Sequence, residues 1–142
     1  MKIFVDANVI LDRYDDQRPY HDFSIGIYEY IILNHHVYTS CDLITTIYYI
    51  NAKIDKKQAL HNIQAINKTL QVLEFSNKEV EQTCQLMLED SDYQDLEDTI
   101  QYVMAKTNEC DIIISNDKEF ISKDITLMTS EEFYNRYVKE EK

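Results

Sequence analysis

A chain of 142 residues with 44% hydrophobic and 28% charged residues has the composition of one globular domain, able to bury ~70% of the surface its unfolded form exposes. A net charge of -12 argues against simple electrostatic attraction to nucleic acid, and no apolar run reaches the ~18 residues of a membrane span. One glycine, Gly26, excludes GxGxxG, P-loop and EF-hand readings, each of which needs glycine at fixed places.

Lys2 to Val5 reads as a buried strand that begins at once, with no cleavable signal pattern ahead of it. Asn8 to Tyr14 suits a short helix, and Asp15 to Tyr20 a loop containing the single proline, Pro19. Phe23, Ile27, Tyr30, Ile31 and Leu33 have the spacing of a helix over 21–34. His36 to Thr39 is a second strand. Leu43 to Ile50 is rich in β-branched and aromatic residues, which favours strand. A strand there would follow 36–39 with almost no turn, so a helix is expected. Asp55 and Gln58 stand in capping-box spacing at the next helix, and Leu70 to Phe75 is strand-like. Ser76 with Glu79 caps a helix that reaches Glu89; Asp95 to Asn108 is helical. Asp111 to Ser115 and Ile125 to Met128 are strands, and Thr129 with Glu132 caps a C-terminal helix. This alternation predicts a single α/β domain over 1–142 with a mostly parallel sheet.

Acidic residues recur at the ends of these elements. Asp6 follows the run Ile3-Phe4-Val5, and Ser115-Asn116-Asp117 follows Ile112-Ile113-Ile114. In an open parallel sheet, residues past the carboxyl ends of strands converge on one crevice, where ligands bind. Asp95, Glu97 and Asp98 open a helix, with Asp95 and Asp98 three apart on one face. Each station has a structural explanation too: Asp6 or Asp95 as helix caps, Asp98 against a positive helix end, Asn116-Asp117 as a turn. Taken jointly they point to a metal site, because converging carboxylates repel one another unless a cation neutralises them. Hard oxygen donors without His or Cys select Mg²⁺ or Mn²⁺. Cys41, Cys84 and Cys110 form no CxxC and are expected to be reduced thiols packed as small hydrophobes. Between Asn51 and Gln71, Lys53, Lys56, Lys57 and Lys68 face one acid, Asp55, and this stretch is either a solvated face or a phosphate-contacting rim.

Together VDANVILD, the S-x-x-x-x-T-x-x-Y-Y segment from Ser40, DLEDTIQYVMA and IISNDKEF resemble a PIN domain across about residues 1–135. The resemblance implies a Rossmann-like α/β/α fold and Mg²⁺- or Mn²⁺-dependent cleavage of RNA, as in VapC-like toxins of bacterial toxin–antitoxin pairs. Asp6, Asp98 and Asp117 match the family's acids, Ser115 its small hydroxyl residue, and Asp95 an extra acid of a DxxD variant. The implied partners are RNA, an antitoxin and a second copy of the chain, in the cytoplasm and away from membranes. One departure stands out: the glutamate the family carries on the helix after the second strand falls here on Thr46 or Thr45. Two other readings are a catalytically inactive PIN-like module regulated by a partner and an aspartate-nucleophile phosphatase. The segment Asp6-Ala7-Asn8-Val9-Ile10 lacks the second Asp and the Thr of the phosphatase DxDxT signature.

Overall fold

The computed structural model describes residues 1–139. In chain order the elements are β1 (Lys2–Val5), α1 (Ala7–Tyr14), α2 (His21–Asn34), β2 (His36–Ser40), α3 (Cys41–Ala52), α4 (Lys56–Thr69) and β3 (Gln71–Leu73). They are followed by α5 (Asn77–Glu89), α6 (Leu96–Thr107), β4 (Ile112–Ile114), β5 (Thr126–Met128), α7 (Ser130–Phe133) and a π-helical turn over Tyr134–Val138. The five strands form one all-parallel sheet in the order β3-β2-β1-β4-β5, flanked by the helices.

The central strands are apolar on both faces because helices cover both. Ile3, Phe4 and Val5 of β1 and Ile113 and Ile114 of β4 are fully buried. Their register pairs Val5 with Ile114, so Asp6 and Ser115 leave the sheet side by side. The backbone N–H of Asp6 continues the ladder by donating to the Ile114 carbonyl at 3.0 Å.

Leu43–Ile50 is helical, inside α3, which starts at the residue after β2. β-propensity loses here because Leu43 and Ile47, four apart, bury fully on one helix face. The capping boxes at Ser76/Glu79 and Thr129/Glu132 both close. The one at Asp55 does not: Asp55 accepts from Lys57 and Gln58 N–H groups, but the Gln58 side chain turns to Asn62. The C-terminal α-helix lasts only four residues before its π-helical continuation. Three strands are shorter than expected: β3 covers only Gln71–Leu73, β4 only Ile112–Ile114, and β5 starts at Thr126.

A chain with one glycine must end its helices otherwise. Glu109 takes the left-handed conformation past α6, at φ 57°, while the Cys110 N–H reaches back to the Ala105 carbonyl at 2.9 Å. Gly26 is used for close approach: a Cβ there would lie 2.7 Å from the Tyr134 ring. All three cysteines are free thiols; Cys110 is buried and Cys41 half-buried, but Cys84 is exposed on α5 and is no part of the core. No helix among the described residues is long and apolar enough to cross a membrane.

Candidate acid site

Each acid reaches the carboxyl edge of the sheet by a different local rule. Asp6 is the N-cap of α1; its Oδ1 accepts from the Ala7 N–H at 2.6 Å. Its Oδ2 accepts from the Ser115 hydroxyl at 2.7 Å and from Asn8 Nδ2 at 3.0 Å. Asp6 thus caps α1 with one oxygen and reaches Asn8 and the end of β4 with the other. Burial pushes its carboxyl up to about 6, opposed by the bonds from Ser115 and Ala7 and reinforced by the charges of Asp117 and Glu97.

Asp98 lies half-buried in the first turn of α6. Desolvation, then the charges of Asp6, Asp95 and Asp117, push it up to about 8. Asp117 is exposed after β4, with its N–H donating to Ser115 Oγ at 3.1 Å. Its Oδ1 accepts from the Glu119 N–H at 2.9 Å, the turn bond expected of Asp. Asp95 is the N-cap of α6, its Oδ1 accepting from the Asp98 N–H at 2.9 Å, and its charge still acts on Asp98.

The structure thus gathers Asp6, Asp98, Asp117, Asp95 and Ser115 at one edge. Thr46 is half-buried and Thr45 exposed on α3, where Thr45 spends its hydroxyl on the Asp42 carbonyl at 3.0 Å. One turn before Thr46, Asp42 is an acid on the same helix whose charge helps raise Glu97, second to desolvation. Glu97 and Asp42 therefore extend the acidic field towards the place where the family's glutamate is missing.

Three residues that the sequence offers as a cap, a turn residue and a nearby acid are joined to the site by hydrogen bonds. Asn8 Oδ1 accepts from the Asn116 N–H at 3.1 Å, and Asn116 Nδ2 donates to Asp12 Oδ2 at 2.8 Å. Asp12, only 2% exposed, is also held by Arg18 Nε at 2.6 Å. The available signal was the spacing of Asn8 and Asp12, four apart and so on one face of α1.

A cleft runs from Asp95 and Asp98 past Asp92, Tyr93, Phe120 and Lys123; Asp6 and Asp117 do not line it. Lys123 bridges Asp90 and Asp92 at 2.8 Å each, which makes Asp92 an ion-paired loop acid outside the cluster. The lysine run is split: Lys53 lies 4.8 Å from the Tyr49 ring, with Lys56 and Lys57 exposed nearby at the start of α4. Lys68, twelve residues along the same helix, is about 18 Å away, so the four do not form one patch.

The donor set suits a hard divalent cation. It offers only oxygen, and two of its carboxyls are raised by burial and by like charges that a cation would neutralise. Among the described residues no three such side chains already stand in coordination positions, so the fit is one of chemistry and charge rather than of a preformed cage.

Residues 3–125 match the PIN domain family. The chain is 46% identical over 137 residues to Ribonuclease VapC1 of Aquifex aeolicus (strain VF5), spanning 96% of this chain and 95% of that protein. A chain of the Rickettsia felis VapBC2 structure, bound to a DNA fragment from their promoter, superposes with a TM-score of 0.71 at 15% identity, covering 91% of this chain and 98% of that one. Mycobacterium tuberculosis VapC20, a sarcin-ricin loop cleaving toxin, superposes with a TM-score of 0.67 at 14% identity over 83% of this chain and 92% of its own. At these identities the two structures speak for the fold, and the matches in sequence for the family: the chain is a member of the PIN domain family.

Proposed function

We propose that this chain is a divalent-metal-dependent endoribonuclease acting as the toxin of a toxin–antitoxin pair. The observation that carries the reading is the meeting of Asp6, Asp98 and Asp117 at the carboxyl ends of β1 and β4 and the start of α6, with Asp6 raised by burial and by the charges of Asp117 and Glu97, and Asp98 by burial and by those of Asp6, Asp95 and Asp117. The near full-length identity to a protein named a ribonuclease supports it.

Asp6, Asp98 and Asp117 would hold the ion, Mg²⁺ or Mn²⁺, with Asp95 assisting through its oxygen outside the cap. When bound, such an ion lowers the pKa of water and stabilises charge on a phosphate and its leaving oxygen. The chain's own residues do the rest. Ser115 and Asn8 fix Asp6 Oδ2, so that carboxylate enters the site in one orientation. The Ser115 hydroxyl also accepts from the Asp117 N–H and so couples the two strand ends.

An antitoxin and a second copy of the chain are the proposed protein partners, and RNA the substrate. The decisive experiment is Mn²⁺ calorimetry and cleavage of short single-stranded RNAs by the wild type, Asp6→Asn and Asp117→Asn. Both variants should lose metal affinity and cleavage together. Retained affinity in both would return these acids to capping and turn roles.

A further inference from the structure

We infer that Asn116, between the two family residues Ser115 and Asp117, is a positioning residue for the acid site; this rests on the reading of Asp6 and Asp117 as its functional acids. An asparagine in a turn ordinarily bonds its own neighbouring backbone. Here its side chain reaches residues 104 and 14 positions away. Nδ2 donates to Asp12 Oδ2 of α1 at 2.8 Å. Oδ1 accepts from the backbone N–H and the hydroxyl of Ser130, at the start of α7, at 2.9 and 3.0 Å. The Asn116 N–H donates to Asn8 Oδ1, and Asn8 Nδ2 in turn donates to Asp6 Oδ2.

Both anchors are buried: Ser130 fully, and Asp12 to 2% exposure, where it is paired with Arg18. The loop after β4 is therefore pinned to α1 on one side and α7 on the other, one residue before Asp117. Only an amide of this length offers a donor to Asp12 and an acceptor to Ser130 at once. A leucine of similar size would strand a buried carboxylate oxygen and a buried N–H. The loop would then be free to shift, and a displacement of about 1 Å at a reacting group costs about a hundredfold in rate.

The test uses the full chain, with Mn²⁺ and a labelled pool of short single-stranded RNAs as probes, at a temperature where circular dichroism shows each variant folded. Asn116→Leu is expected to lower Mn²⁺ affinity and kcat by roughly tenfold to a hundredfold, with KM changed by less than about threefold. The exchange Asp12→Asn with Asn116→Asp reverses donor and acceptor across the pair, keeps both Ser130 bonds, and is expected to restore most of the loss. Wild-type Mn²⁺ affinity and kcat in folded Asn116→Leu, or no recovery in the exchange, would overturn the proposal. Asp117→Asn separates the two levels. If it abolishes Mn²⁺ binding and cleavage while Asn116→Leu does not, only the positioning role falls. If Asp117→Asn is itself silent, the acid-site reading fails and takes this inference with it.

Discussion

Replacing Asp98 by asparagine should make the metal-free protein more stable, and the gain should depend on pH. The Asp98 carboxyl is raised from 3.8 to about 8 by desolvation and by the charges of Asp6, Asp95 and Asp117. The folded state therefore holds this proton more tightly than the unfolded chain. Its contribution is fully present below pH 3.8 and is lost as pH rises through about 8. At about 1.4 kcal/mol per pH unit, the nominal loss across that interval is about 5–6 kcal/mol. Asp98 is half-exposed, however, and solvent screening reduces this to about 1–2 kcal/mol. The substituted amide is permanently neutral, so in EDTA at pH 8 the Tm of Asp98→Asn should lie roughly 3–7 °C above wild type. At pH 4 the two should coincide. With Mn²⁺ at a hundredfold excess over Kd the order should invert, because binding adds about 2.7 kcal/mol to wild type alone. Thermal melts by circular dichroism at both pH values check this. A variant no more stable than wild type at pH 8 in EDTA, or one stabilised equally at pH 4, would refute the view that repulsion at this site destabilises the empty fold.

Three further outcomes are expected. Lys56→Gln with Lys57→Gln should flatten the salt dependence of RNA binding by about one to two units of slope, and Lys68→Gln, at the far end of α4, should not; equal slopes in all proteins would leave the lysines a solvated face. Thr46→Glu should raise Mn²⁺ affinity, and a double-mutant cycle with Asp42→Asn, one turn earlier on α3, should show coupling; additive effects would place α3 outside the metal site. Glu109→Gly should raise stability by about 1 kcal/mol, since a side chain at φ 57° carries strain that glycine does not; an unchanged or lower denaturant midpoint would contradict it.

Local chemistry in the sequence was enough to place the acids at element ends. Ile3-Phe4-Val5 and Ile112-Ile113-Ile114 are apolar on every residue because both faces of a central parallel strand are covered, and the first polar residue after each run marks where the chain leaves the core. The boxes at Ser76 and Thr129 were equally legible, because a cap is satisfied within four residues. What the sequence left open was every relation between distant segments. That β1 lies between β2 and β4 is decided by crossovers and packing, and it is this order that sets Asp6 beside Ser115. Residue type alone did not reveal that Asp55 caps without closing its box, that Cys84 is exposed, or that the lysines divide along a helix. Nor could it show Asn116 bonding across 104 residues to a buried Asp12: hydrogen-bond partners are chosen by which groups the fold deprives of water in the same place, and only the tertiary structure determines that.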